Sequence, residues 1–218
     1  NFTYTINPSY VIKNRYKLFV NVSSAYRVPS LYQLFSEYGN LGLKPETSHT
    51  FETGMDLNIL PEKLDFNFSW FHRDIQDVID FGEKSPGQFG YVNQNMQKDK
   101  GFEMEASFKP AGFASFSAFY AFVNGRQTSA EGTVFNLFRR PKNTFGANAG
   151  FNIGEKADFN LTYKYTGSRE DFYFDSSFNK VNAHLAAYHM LDAYIQYKPT
   201  SKLTLFADVK NLLDQNYR

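Results

Sequence analysis

The sequence contains no cysteine, which excludes disulfides, thiolate nucleophiles and cysteine-ligated metals. It has no surplus of either charge: 23 Lys and Arg stand against 22 Asp and Glu, a formal +1. Phosphate binding calls for a clear basic excess, so no nucleic acid is expected as a partner. No apolar run reaches about 18 residues, which excludes a transmembrane helix. Neither an initiator methionine nor a signal peptide is present. The chain opens at Asn1 inside a strand-like pattern, which predicts a piece of a longer protein.

Aromatic residues are abundant. With 24 Phe and 15 Tyr, aromatics make up 18% of the 218 residues, yet mean hydropathy stays at −0.47. Large rings in a chain that is polar on average fit strands alternating apolar with polar along their length. That alternation is explicit. Phe51, Met55, Leu57 and Ile59 interleave with Glu52, Asp56 and Asn58, and Leu64, Phe66, Phe68 and Trp70 with Lys63, Asp65, Asn67 and Ser69. Phe102, Met104, Ala106 and Phe108 do so with Glu103, Glu105, Ser107 and Lys109. Stretches 145–153, 158–165 and 203–209 repeat the pattern, and 2–10, 16–28, 113–123 and 189–198 carry weaker versions. Ten strands are predicted and no helical period is found, so the chain is all-β.

The connections alternate as well. Short ones fall at Lys13-Asn14, Pro61-Glu62, Pro110-Ala111-Gly112, Glu155-Lys156 and Pro199-Thr200-Ser201, with residues suited to tight turns. Long polar ones fall at about 29–46, 80–97, 125–142 and 169–187. All the long loops therefore leave one end of the sheet, as in an antiparallel up-and-down transmembrane β-barrel. A soluble β-sandwich also alternates and clusters its loops. Strand length favours the barrel, because about 9–13 residues suffice for a tilted crossing. So do charges of both signs on the polar face, among them Glu52, Asp56, Glu103, Glu105 and Lys164, which a wet lumen tolerates and a packed interior does not. Aromatics near strand ends (Tyr16, Tyr26, Trp70, Phe102, Tyr163, Tyr197) suit interfacial girdles.

One segment goes beyond architecture. Ala25-Tyr26-Arg27-Val28-Pro29-Ser30-Leu31-Tyr32-Gln33-Leu34-Phe35 is followed by Tyr38-Gly39-Asn40, then Leu43-Lys44-Pro45-Glu46, then Glu52-Thr53-Gly54. This resembles the barrel of TonB-dependent outer-membrane receptors. The end of the chain, with Asn211-Leu212-Leu213-Asp214 and Tyr217, is similar to the penultimate strand of that family. The wording around Tyr32 and Tyr38 is most similar to cobalamin receptors, on a skeleton that siderophore receptors share. The resemblance implies a bacterial outer-membrane barrel of twenty-two strands around an N-terminal plug. It implies capture of a scarce ligand (cobalamin, a ferric siderophore, haem or a sugar) and import with energy supplied by TonB. On that reading residues 1–218 are the C-terminal portion of the barrel, about ten strands, without plug or final strand, unable to transport alone. Such a sheet is expected either to close into a smaller barrel or to need further strands.

Within the motif, Pro29 lacks a donor and ends strand pairing, Pro45 marks the return into the sheet, and Gly39 supplies turning freedom. By position and type, ligand contacts are expected from Tyr32, Tyr38, Phe89, Tyr91, Asn93, Arg126, Arg139, Arg140 and Tyr173 on the long loops. Arg139 and Arg140 suit a carboxylate or phosphate, whether of a ligand or of lipopolysaccharide beside the other outer-membrane lipids. No cofactor is called for, and no metal set either: His49, His72, His184 and His189 lack ligand spacing, and Glu170, Asp171 and Asp175 lack that of a calcium loop. Three other classes remain open. One is an outer-membrane barrel enzyme using Asp171, Asp175, His184 and His189 at the rim. The others are a passive porin and a soluble β-sandwich acting as a binding module.

Overall fold

The computed structural model describes residues 2–128, 134–136, 139–177 and 180–216. The first half of the chain forms β1 (Thr5–Ile6), β2 (Ser9–Ile12), β3 (Tyr16–Arg27), helix α1 (Leu31–Phe35), β4 (Glu46–Leu60), β5 (Leu64–Gln76), β6 (Ile79–Ser85) and β7 (Gln88–Asn93). β8 (Met96–Ala111), β9 (Ala114–Thr128), β10 (Val134–Asn136), β11 (Asn143–Ile153) and β12 (Ala157–Thr166) follow. β13 (Arg169–Phe174), β14 (Lys180–Leu185), β15 (Tyr188–Thr200) and β16 (Leu203–Val209) complete it.

One antiparallel sheet dominates, ordered β1-β3-β4-β5-β8-β9-β11-β12-β15-β16, with β2 also paired to β3 and β10 to β9. β1 and β2 lie on the same neighbour, Thr5 opposite Ser23 and Ser9 opposite Phe19. They are one lane broken at Pro8, which has no amide hydrogen to give to a ladder. Ten lanes result, one for each predicted strand. The sheet is open: β1 and β2 line one edge and β16 the other. Of the two expectations, closure into a smaller barrel is therefore not what the fold shows.

The register puts the two phases of each strand on opposite faces. Thr53-Trp70-Phe102-Phe122 and Met55-Phe68-Met104-Tyr120 run across one face, Asp56-Asn67-Glu105-Phe119 across the other. The apolar face carries Phe51, Trp70, Phe108 and Phe116, all exposed, and no second sheet packs on it among the described residues. Leu43, Ile79 and Ala114 are the buried apolar side chains among all the described residues, and the first two lie at the loop end rather than on this face. A sandwich would bury that face; a barrel turns it to lipid and leaves the charged face to a wet lumen.

Three glycines on the lumen face share one arrangement. Phe19 is the direct partner of Gly54, Phe71 of Gly101 and Phe119 of Gly146. In each case an ideal Cβ on the glycine would meet the partner's ring, with Cζ at 2.7, 2.8 and 2.8 Å respectively. The missing side chain gives the ring its place across the strand, so these glycines allow close packing rather than a turn.

Two expectations are corrected. The chain does contain a helix, the single turn-and-a-half of α1. Ser30 caps it: its Oγ accepts from Gln33 N at 3.2 Å, while Gln33 Oε1 accepts from Ser30 N at 2.9 Å. Ser30-Leu31-Tyr32-Gln33 is thus a capping box, which local hydrogen bonds stabilise without the long apolar period by which helices are usually read. The long connections are also less irregular than expected, since two of them fold into the hairpins β6–β7 and β13–β14. The ladders run further too, β5 to Gln76 and β8 from Met96. Beyond the hydrocarbon both faces of a strand meet polar surroundings, so polarity stops alternating while pairing continues.

Candidate functional site

At the loop end of the lumen lies a cavity of about 650 Å³, lined by Arg27, Glu46, Arg73, Asp80, Gln97, Gln127, Arg139 and Arg140 with apolar Ile75, Val78, Ile79, Phe81 and Phe172. Its wall is the lumen phase of β3, β4, β5, β8 and β9, since Arg27 pairs with Glu46, Arg73 with Asp99 and Gln97 with Gln127. Residues of β6, Arg139 and Arg140 ahead of β11, and Phe172 of β13 complete its lining.

The charged groups are held in fixed pairs. Arg27 Nε donates to Glu46 Oε2 at 2.7 Å and its Nη2 to Oε1, an ideal bidentate fork. Glu46 Oε1 also accepts from the Ile79 amide at 2.7 Å, which ties β6 to the rim of β4. Arg73 donates from Nε (3.2 Å) and Nη2 to Asp99 Oδ2, and Gln97 Nε2 donates to both Asp99 oxygens at 3.0 and 2.9 Å. Asp99 is fully buried. Gln127 Nε2 donates to Asp80 Oδ2 at 3.4 Å. Arg139 Nε donates to both oxygens of Asp171 on β13, at 2.9 and 3.0 Å. That hydrogen bond, and the Phe172 amide behind it, hold the Asp171 carboxyl below the usual carboxylate range. Three guanidinium groups are thus oriented by carboxylates and keep donors to spare, while Arg140 also lines the cavity, exposed.

Of the nine expected ligand residues, Arg139 and Arg140 line this cavity. Four others join loop to hairpin. Tyr32 meets Tyr91 edge-on at 6.1 Å, and Phe81 meets Tyr38 and Tyr91 at 5.6 Å each. Tyr91 N donates to Tyr38 O at 3.0 Å. Asn93 Oδ1 accepts from Lys44 N at 2.8 Å, and its Nδ2 donates to Lys44 O (3.0 Å) and Asp77 O (2.6 Å). Phe89 sits on β7 opposite Glu83, and Tyr173 lies exposed on β13. Arg126 points to the outward face, beside Lys98.

The motif residues sort similarly. Arg27 and Glu46 line the cavity, and Ser30 caps α1. Asn40 joins loop to hairpin, giving Nδ2 to Tyr91 O at 3.0 Å. Leu43 is buried, and a Cβ at Gly39 would strike Leu34 O at 2.5 Å. Leu31 is exposed, Pro29 precedes the cap, and Pro45 leads into β4. Glu52 accepts from Asn21 on the lumen wall, 3.5 Å away. Asn211 closes a turn on Gln215 (3.0 and 3.1 Å) and Asp192 (2.8 Å), with Leu212 N bonded to Leu191 O and Asp214 N to Asn211 O. Tyr217 lies outside the described residues. The rim residues considered for an enzyme each have other partners, Asp175 accepting from Ser177 N at 2.9 Å. Asp171 binds Arg139, His184 Nδ1 stands 2.8 Å from Glu170 Oε1, and His189 stacks on Tyr163.

Sequence reasoning passed over Arg73, Gln97, Asp99 and Gln127. The signal was there: Gln97 and Asp99 continue the odd phase of Glu103 and Glu105, two residues at a time, past the end of the apolar pattern.

The family model described as TonB dependent receptor-like, beta-barrel, matches residues 1–212, and the chain belongs to that family. It is a bacterial outer-membrane β-barrel chain. It superposes on the FrpB iron transporter of Neisseria meningitidis (F3-3 variant) with TM-score 0.79 at 16% identity, covering 100% of this chain and 35% of that one. The copper transporter OprC gives 0.81 at 20%, covering 98% and 34%. The ferripyoverdine receptor of Pseudomonas aeruginosa gives 0.77 at 17%, covering 98% and 29%. The chain spans about a third of the length of these structures.

Proposed function

We propose that the protein containing this barrel segment captures a scarce, oxygen-rich metal chelate such as a ferric siderophore at the outer end of its lumen. Import then draws on energy passed by TonB through an N-terminal plug. The observation that carries this reading is the cavity with four arginines, three of them oriented by carboxylates. Charge there is nearly balanced, so recognition rests on directed N–H donors rather than on a net field, which suits the catecholate, hydroxamate or carboxylate oxygens of a chelate. The named functions of the similar structures, iron, copper and ferripyoverdine uptake, support the same class.

Cobalamin is the second reading, favoured by Leu31-Tyr32-Gln33-Leu34-Phe35 and Tyr38-Gly39-Asn40. Much of that wording serves α1 and its attachment to β6–β7, which weakens it as a ligand signature. The test is a titration of the full-length protein in detergent with ferric catecholate, ferric hydroxamate and cobalamin. Tight binding of one ferric chelate, lost on Arg140→Ala with Arg139→Ala, is expected. Tight binding of cobalamin alone replaces the ligand and keeps the receptor. A folded protein that binds none and passes small solutes unselectively is a porin.

A further inference from the structure

Along three adjacent strands the outward face turns from apolar to charged at the same step toward the loop end. It runs Met104, Phe102, Lys100, Lys98 on β8; Tyr120, Phe122, Asn124, Arg126 on β9; and Phe68, Trp70, His72, Asp74 on β5. Lys98 is the direct partner of Arg126, and Lys100 of Asn124 and His72. All three cations are exposed. The facing carboxylate is Asp74, opposite Lys98, with His72 Nε2 3.4 Å from its Oδ2 and His49 opposite it on β4. Among the described residues, three cations therefore face one carboxylate.

Like charges directly opposed across a ladder destabilise it, and their Cβ atoms stand only about 4.5–5.5 Å apart. An anion placed between Lys98 and Arg126 reverses that cost, and one phosphate group can offer an oxygen to each. The depth selects its source. The cations follow directly on Trp70, Phe102 and Phe122, where aromatic belts give way to headgroups. Phe68 and Met104 continue below as an acyl-chain surface. The intervening residues Gln97, Asp99 and Gln127 turn the other way, so this surface is separate from the lumen cavity.

We propose that Lys98, Lys100 and Arg126 form a docking surface for a phosphorylated glycolipid headgroup of the outer leaflet. The inference rests on the chain's place in the outer membrane and stands whichever ligand the lumen takes. The test is native mass spectrometry of the full-length protein in detergent, titrated with bis-phosphorylated lipid A and with the same lipid stripped of phosphate. Replacing the three cations by Gln is expected to weaken binding of the phosphorylated lipid on the order of a hundredfold. The charge-keeping set Lys98→Arg, Lys100→Arg and Arg126→Lys should retain it within about twofold. Should the Gln set not fold, Asp74→Asn must tighten binding, and unchanged or weaker binding overturns the proposal. So does undiminished binding by the Gln set, equal affinity for the dephosphorylated lipid, or displacement by an equal concentration of inorganic phosphate.

Discussion

Arg73 and Asp99 are opposed in register on β5 and β8, and the guanidinium gives two hydrogen bonds to one oxygen of a carboxylate that has no exposed surface. Gln97 supplies the remaining donors. Breaking such a pair strands a buried charge, whereas replacing both partners does not. Arg73→Ala is expected to lower unfolding free energy by about 3–5 kcal/mol. The double replacement of Arg73 and Asp99 by Leu should cost less. Urea titration of the full-length protein in detergent measures both, and a double variant weaker than the single one contradicts the account.

The lumen-face glycines make a second prediction. At Gly146 the nearest atoms to an added Cβ all belong to the Phe119 ring. Gly146→Ala should therefore destabilise by about 1–3 kcal/mol through overpacking. In Phe119→Ala the same substitution should be nearly neutral, because the clash is gone. A double-mutant cycle without coupling would falsify the close-packing role of this glycine.

Arg139 and Asp171 join the segment before β11 to the hairpin β13–β14. Asp171 has a folded-state pKa below its unfolded value, so its contribution is fully present above the ordinary carboxylate range and disappears as pH falls through the lowered value. Relative to intrinsic amide exchange at each pH, the protection of residues 169–174 should stay unchanged from neutral to mildly acid pH and fall only below that range. Asp171→Asn should remove the pH dependence, and a transition that persists in that variant contradicts the account.

Asn93 holds the return of the long loop against the base of the β6–β7 hairpin through three hydrogen bonds. Asn93→Ala leaves the Lys44 amide and two carbonyls to find water, a loss of about 1–3 kcal/mol localised there. Limited proteolysis near residues 77–93 should accelerate while the ladders β3–β5 keep their protection. Weakened ligand binding with unaltered proteolysis would make Asn93 a ligand contact after all.

The sheet was legible because a strand with lipid on one side and water on the other must alternate. Trp70 against Ser69, or Phe102 against Glu103, therefore states both the strand and its faces. The alternation of short and long connections likewise set all long loops at one end. The helix was hidden because α1 depends on the reciprocal hydrogen bonds of Ser30 and Gln33, not on a period. The site was half visible. Arg139 and Arg140 announce themselves as adjacent cations, but Arg73 and Asp99 lie where polarity no longer alternates.

By itself, then, the amino-acid order determined an all-β membrane-crossing sheet, its polar and apolar faces, and its loop end, since these follow from hydropathy at a period of two. Register decided the rest. Only pairing across β3, β4, β5, β8 and β9 brings Arg27 to Glu46 and Arg73 to Asp99 at one cavity, and only it sends Arg126 outward beside Lys98. Side-chain direction is local, but partnership between residues about 20 to 30 positions apart is fixed by which strand lies next to which, and by no shorter-range rule.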